Sequence, residues 1–259
     1  MTVAPAADFY VARVACNEDD IPDSAGNMAK AIRWAADNEV DIISMSFGFD
    51  DEPLVQGEYA ISNAICGALK DRNQRLLFFA AASNDGGNRQ EMFPARHRQV
   101  ISVRATDDKG WMEHFNPPPG YSSKHPIMTL GRDVPGAALG GSAEAKNGVV
   151  YRTGTSVSTP IAAGIAAMIL GFVRLHEDKL IKVLGGSVAK VDRFFTLEGM
   201  RQVLWKMSTE MMDRWHYLSG PDWPCEEIVY DARPQRSGSV DMTIDGMQDG
   251  RRLRAGYVA

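Results

Sequence analysis

Apolar residues recur with two different periods along the first hundred positions. Met28–Asn38 and Glu58–Arg72 place them at i, i+3, i+4 and i+7, which predicts two amphipathic helices. Four β-rich or continuously apolar runs predict strands: Asp8–Val14, Asp41–Ser46, Leu76–Ala82 and Val100–Ala105. Alternation of strands and helices at these lengths favours right-handed crossovers. The pattern therefore predicts an α/β fold with a mostly parallel central sheet and helices on both faces.

The pattern is less regular in the second half of the chain. Lys109–Gly148 is predicted to be loop-rich because prolines and glycines interrupt it. Val149–Tyr151 predicts a short strand, and Ile161–Val173 predicts a core helix that is too short to span a bilayer. Leu175–Phe195 is predicted to be polar and irregular.

One more amphipathic helix is predicted near the C-terminal end, over Leu197–Met207 with Thr196 as its N-cap. After Ser208 the period is lost, and Gly238–Ala259 is typical of a weakly ordered tail. We therefore divide the chain into a domain of residues 1–207 and an irregular C-terminal extension of residues 208–259.

The run Arg152–Leu170 contains a candidate reactive serine. It opens with Gly154-Thr155-Ser156, carries Pro160, and then becomes apolar and rich in alanine. Proline fits only near the start of a helix, so the run predicts a loop that delivers Ser156 to the first turn of a buried helix. There the serine would meet unpaired N–H groups and the positive end of the helix dipole. A plain serine N-cap is the structural alternative.

The longer run Gly154-Thr155-Ser156-x-Ser-Thr-Pro160-x-Ala-Ala-Gly164 resembles the nucleophile segment of the subtilases, the subtilisin-like serine proteases. The resemblance implies that Ser156 attacks a peptide carbonyl. Other segments agree in family order: Val3-Ala4-Pro5, Phe93-Pro94-Ala95 and Val134-Pro135-Gly136, although Arg104 stands where the family has glycine. The resemblance runs from about Thr2 to Ile169 and implies a three-layer subtilisin-like fold.

Two further segments acquire roles from this resemblance. Phe79–Gly87, by itself a turn after a strand, resembles the element whose asparagine is the oxyanion donor, which implies that role for Asn84. The backbone N–H of Ser156 would be the second donor. Asp41–Phe49 resembles the strand edge that pairs with substrate. The implied walls of the specificity pocket are Ser46, Phe47 and Gly48 on one side, and Ala81, Ala82 and Ser83 on the other.

Ser83 is a departure from the family pattern, because glycine is usual at this position. The additional hydroxymethyl group is expected to narrow the pocket, or to direct it toward smaller or polar side chains.

The Asp and His motifs of the family do not occur in this sequence. In the family both precede the Val-Ala-Pro segment, which begins here at Val3. We therefore interpret the chain as an N-terminally truncated subtilase, inactive as given because Ser156 has no base. Loss of that segment would also remove a strand and expose apolar surface on the sheet. The five histidines are expected to be exposed loop residues, with His114 and His125 the best alternatives for a base: His97, His114, His125, His176 and His216.

Composition excludes several function classes. The 259 residues carry a net charge of −5, which provides no basic field for nucleic acid or an anionic membrane. The resemblance to the subtilases implies a polypeptide substrate as the partner. The chain has an odd number of cysteines without metal-site spacing, Cys16, Cys66 and Cys225, which favours a reducing compartment. The N-terminus also lacks a secretory signal, so a cytoplasmic location is favoured. Calcium is common in the family, but no acidic loop has a convincing ligand spacing, so no cofactor or metal is expected.

Two main functions remain open. The first is a serine endopeptidase that forms an acyl-enzyme at Ser156 with Asn84 in the oxyanion hole. The second is a catalytically dead subtilase-like module that binds peptides or regulates another protein. An unrelated α/β ligand-binding domain is the third alternative.

Overall fold

The computed structural model describes residues 3–87, 89–118, 126–138, 148–211, 215–218 and 253–258. The first half contains strands and helices in alternation: β1 (Ala7–Ala12), α1 (Ala25–Asp37), β2 (Ile42–Met45), α2 (Ala60–Asp71), β3 (Leu77–Ala81) and β4 (Ile101–Thr106). The predicted alternation is confirmed, with boundaries that differ by up to three residues.

The second half contains more regular structure than its composition predicts. Its strands are β5 (Ile127–Leu130), β6 (Val134–Ala137), β7 (Val149–Arg152), β8 (Thr209–Glu210), β9 (His216–Tyr217) and β10 (Leu253–Val258). Its helices are α3 (Thr155–Leu175), α4 (Glu177–Val183), α5 (Val188–Asp192) and α6 (Leu197–Lys206). The hydroxyl of Thr196 accepts a hydrogen bond from Gly199 N, 3.3 Å away, so the predicted N-cap of α6 is confirmed.

Three predictions for this half are wrong in part. Lys109–Gly148 contains β5 and β6, and β6 forms a separate antiparallel pair with β7. Leu175–Phe195 is largely helical rather than irregular. The predicted tail contains β10, which belongs to the main sheet, while the rest of Gly238–Ala259 lies outside the described residues. β5, β6, α4 and α5 have only four to seven residues each, which is too short for a clear period.

The other eight described strands form one large sheet in the order β1-β10-β2-β3-β4-β5-β9-β8. All neighbouring pairs are parallel except β8 with β9. This confirms the predicted α/β class. Because β2, β3 and β4 are parallel, their carboxyl ends lie at one edge of the sheet, where α/β proteins place their ligands.

Side chains alternate along the strands between two cores. Ile43 and Phe78 face α1 and α2, whereas Ile42 and Phe79 face α3 and α6. By length and composition alone α3 could cross a membrane, but its small and apolar residues, including Ala166 and Leu170, are buried in the second core. Gly164 lets this helix pack closely: a Cβ there would lie 3.0 Å from Val3 Cβ. The helix is therefore the central element of one helical layer.

Candidate active site

The start of α3 lies against the loop that follows β2. The hydroxyl of Ser46 donates a hydrogen bond of 2.9 Å to the carbonyl oxygen of Ser156. That carbonyl would ordinarily accept from the backbone N–H four residues later, but this position is Pro160, which has no N–H. Pro160 lies in the second turn of α3, and Ser46 supplies the hydrogen bond that the proline removes.

The loop that follows β3 meets the same helix start through Asn84. The Oδ1 atom of Asn84 accepts from Thr155 N at 2.7 Å and from Thr155 Oγ1 at 3.1 Å. A backbone N–H only donates, so this contact fixes the orientation of the amide. The Nδ2 group of this exposed side chain is thereby left as the donor of the amide, close to Gly154.

Gly154 makes the close approach of Asn84 to the helix possible. Its φ is +148°, and a Cβ at this position would lie 3.0 Å from Asn84 Nδ2. Both the backbone conformation and the space therefore require glycine. The carbonyl of Gly154 accepts from the N–H groups of Val157 and Ser158 at 3.2 and 3.3 Å, which begins the helix.

Ser156 occupies the second position of α3 and is half-buried. Thr155 N is bonded to Asn84, and the N–H groups of Val157 and Ser158 are bonded to Gly154. The N–H of Ser156 is one of the orphan donors of a helix start. The Asn84 amide is thus bonded to the first residue of α3, and Ser156 is the next residue of the same turn.

The predicted pocket walls lie on either side of a segment that the sequence did not single out. Met92 N donates to Ala82 O at 2.9 Å. A Cβ on Gly48 would lie 2.7 Å from the Met92 sulfur, so the methionine packs directly on that glycine. Met92 thus contacts both walls. No local sequence signal identifies it, because the contact depends on the tertiary fold.

The wall residues differ in what they expose. The Phe47 side chain is buried in the core with α1 and α2 and makes an edge contact with Phe49, so only its backbone is available to the cleft. Ala81 and Ala82 are buried. Ser83 is also buried and has φ +151°, a conformation in which glycine is favoured, and its hydroxyl accepts from Asp85 N at 3.0 Å.

The histidines that the structure describes differ in their surroundings. The expectation that they are exposed loop residues is wrong for His216, which is buried in β9 and accepts from Trp205 Nε1 at 3.0 Å. His97 is half-buried and its Nδ1 accepts from Gln99 N, while His176 stacks on Phe172.

His114, one of the two alternative bases, has a side chain that is 88% exposed beside Glu113. His125, the other alternative, lies outside the described residues. The contacts described for His97, His114, His176 and His216 are to groups other than Ser156.

Candidate metal ligands and thiols are dispersed. Within the described ranges, no group of three or more His, Cys, Asp or Glu side chains is placed to hold a metal ion. Cys16 and Cys66 are free and exposed, and Cys225 lies outside the described residues.

A serine at the start of a buried helix, beside an amide donor and at the carboxyl edge of a parallel sheet, is the arrangement of an α/β serine hydrolase. The family model for the subtilases matches residues 1–181. The chain therefore belongs to the subtilase family, whose members are serine peptidases.

Individual relatives agree with this assignment. The chain is 29% identical over 214 residues to the subtilisin-like protease het-Q2 of Podospora anserina, covering 79% of this chain and 55% of that protein. It is 32% identical over 168 residues to a thermostable alkaline protease of Halalkalibacterium halodurans, covering 64% of this chain and 41% of that protein. The chain thus spans about half the length of the curated relatives that it matches.

Among solved structures, the chain resembles the protease domain of PatA with a TM-score of 0.58 and 23% identity, over 81% of this chain and 66% of that one. This likeness shows the fold. The match confirms that the sheet and its helices are those of a subtilisin-like protease domain.

Proposed function

We propose that this chain provides the nucleophile and the oxyanion hole of a serine endopeptidase. Ser156 would attack the peptide carbonyl, and the developing oxyanion would accept from Asn84 Nδ2 and Ser156 N–H. The observation that supports the proposal is the bond from Thr155 N to Asn84 Oδ1, because it joins the amide to the residue before Ser156 and leaves Nδ2 as the donor. Substrate backbone would lie along Ser46–Gly48, with one side chain between the two walls.

Hydrolysis also requires a base that removes the proton of Ser156. The described histidines make their contacts elsewhere, and the family's Asp and His motifs do not occur in this sequence. We therefore propose that the 259-residue chain binds peptides but does not acylate. Without acylation, the chain would have the second function that the sequence leaves open, that of a peptide-binding or regulatory module.

A fluorophosphonate probe tests the chemical state of Ser156. We expect the chain to remain unlabelled at Ser156 under conditions that label an active subtilisin, with Ser156→Ala as the matched control. Rapid labelling that disappears in Ser156→Ala would show that a base is present and would overturn the inactive state. The serine itself would then be confirmed as the nucleophile.

A further inference from the structure

A short segment, Glu91-Met92-Phe93, joins the two walls of the proposed pocket. Phe93 exchanges two backbone hydrogen bonds with Phe49, of 2.8 and 2.9 Å, just beyond the Gly48 wall. Met92 N is bonded to Ala82 O on the other wall, and the Met92 side chain packs on Gly48. The segment is therefore attached on both sides, and Met92 lies where the floor of the pocket would be.

Glu91, the first residue of this segment, is 4% exposed and forms an ion pair with Arg104. Its Oε1 also accepts from Ser102 Oγ at 2.9 Å. Both partners are on β4, at positions that alternate with Ile101 and Val103, whose side chains lie in the core with α3. The buried carboxylate thus ties the pocket floor to a central strand.

Arg104 is fully buried, and its remaining contacts hold it in one orientation. Its guanidinium donates to Pro117 O at 3.2 Å and to Pro118 O at 3.1 Å, and it lies 5.3 Å from the centre of the Trp215 ring. Burial lowers the pKa of Arg104, and the neighbouring Glu91 opposes that shift. The charged pair therefore carries a desolvation cost in the core.

A buried ion pair is a weak source of stability, because apolar residues of similar volume often do as well or better. Such a pair instead fixes the relative positions of its two side chains. Here it fixes the segment Glu91-Met92-Phe93 relative to β4.

We infer that Arg104, acting through Glu91, is a positioning residue for the specificity pocket, where it holds Met92 across the floor and restricts the pocket to small peptide side chains. The inference rests on the proposed function, because it assumes that a peptide occupies this cleft. Arg104 itself does not contact the peptide. A Met92 side chain packed on Gly48 would leave room between the walls for the side chain of alanine or serine and would exclude that of phenylalanine or leucine.

The test compares two acetylated tetrapeptide acids that differ only in the C-terminal residue, Ala or Phe. Their affinities for the full chain are measured by calorimetric titration. We expect the Ala peptide to bind at least about tenfold more tightly, as shape exclusion in a pocket allows. Failure of both peptides to bind would overturn the proposed function and this inference with it.

Removal of one charge alone would leave the other buried and unpaired, so the variant is the double replacement Glu91→Leu with Arg104→Met. We expect an unchanged melting temperature but a preference for Ala reduced to less than about threefold, because Met92 is no longer held. Retention of the parent selectivity in the folded double variant would overturn the inference while leaving the proposed function intact.

Met92→Ala keeps the ion pair and provides a second test if the double variant does not fold. This variant is expected to bind the Phe peptide about tenfold more tightly than the parent does, since the floor is lowered. Unchanged affinities for both peptides would overturn the role assigned to Met92 and therefore to Arg104.

Discussion

The hydroxyl of Ser46 donates to the carbonyl oxygen of Ser156, 2.9 Å away, in place of the N–H that Pro160 lacks. The bond joins the end of β2 to the turn that carries the candidate nucleophile. A proline in the second turn of α3 thus makes the serine carbonyl available to the pocket wall. The two elements of the site are coupled by one side chain.

Ser46→Ala is expected to destabilise the fold by about 1–2 kcal/mol, because the Ser156 carbonyl loses its donor in a half-buried place. The cost should shrink in a Pro160→Ala background, where residue 160 regains an N–H that can close the helical bond. Denaturant unfolding of the parent, the two single variants and the double variant measures this coupling. Strict additivity of the two changes would contradict the account.

Ser83 combines a useful hydrogen bond with an unfavourable backbone conformation. Ser83→Ala loses the bond from Asp85 N and keeps φ near +151°, whereas Ser83→Gly loses the same bond and relieves the strain. We expect the glycine variant to be more stable than the alanine variant by about 1 kcal/mol or more. Thermal unfolding of the two variants side by side checks this, and equal stabilities would show that Ser83 is unstrained.

Strand β10 connects β1 to the rest of the sheet, because in the described part of the chain β1 pairs with β10 and β10 pairs with β2. Ala255→Pro removes a backbone donor from the middle of this strand and should cost on the order of 2–3 kcal/mol. Protection of the β1 amides from hydrogen exchange should fall with it. Leu253→Pro, at the first residue of the strand, is the matched control and should cost much less.

If Ala255→Pro unfolds at the same denaturant concentration as the parent, β10 contributes nothing to the sheet. That result would contradict its placement between β1 and β2. It would also mean that β1 requires another partner.

His97 gives the fold a dependence on pH. Burial lowers the pKa of His97 below its ordinary value of 6.5, against the opposing effect of Glu52 and with help from Arg98. Below pH 6.5 the unfolded chain therefore binds more protons at His97 than the folded chain does. The contribution of neutral His97 to the free energy of unfolding is complete above pH 6.5 and is lost as the pH falls through the pKa of the folded state. Nδ1 of His97 accepts from Gln99 N, a bond that protonation of this atom would break.

Between about pH 7.5 and pH 5.0, we expect the melting temperature of His97→Gln to fall by less than that of the parent. His114→Gln, at an exposed position, is the control and should follow the parent. A parent and a His97 variant with identical slopes over this interval would show that His97 does not contribute.

Local patterns in the sequence predict the elements that bury a periodic face. Leu77–Ala81 is apolar throughout, and α2 repeats its apolar residues at helical spacing. Both elements could therefore be identified from their own residues, without knowledge of the segments that they contact. β6 contains Pro135 and Gly136, which disfavour a central strand. It forms a strand because, among the described strands, it pairs with β7 alone, so Pro135 removes no hydrogen bond from the central sheet. β10 could not be predicted, because its stability depends on pairing with residues more than two hundred positions away.

In the candidate site, too, some features could be predicted from local sequence and others depend on contacts between distant residues. Ser156 and Asn84 could be identified from motifs, because each motif encodes a turn that the fold requires. The orientation of the Asn84 amide depends on Thr155, and the role inferred for Met92 depends on the ion pair between Glu91 and Arg104. These are contacts across the fold, and neighbouring residues in the sequence carry no sign of them.

The most direct test of the central claim is the affinity of the acetylated Ala-terminated peptide acid for Asn84→Asp compared with the parent. This substitution keeps the acceptor for Thr155 N, removes the Nδ2 donor and adds a negative charge. Asn63→Asp on α2 is the matched charge control. We predict that Asn84→Asp weakens binding by about tenfold or more, the value of a charge-assisted hydrogen bond, while Asn63→Asp binds as the parent does. Equal affinity of all three proteins for the peptide would contradict an oxyanion hole at Asn84.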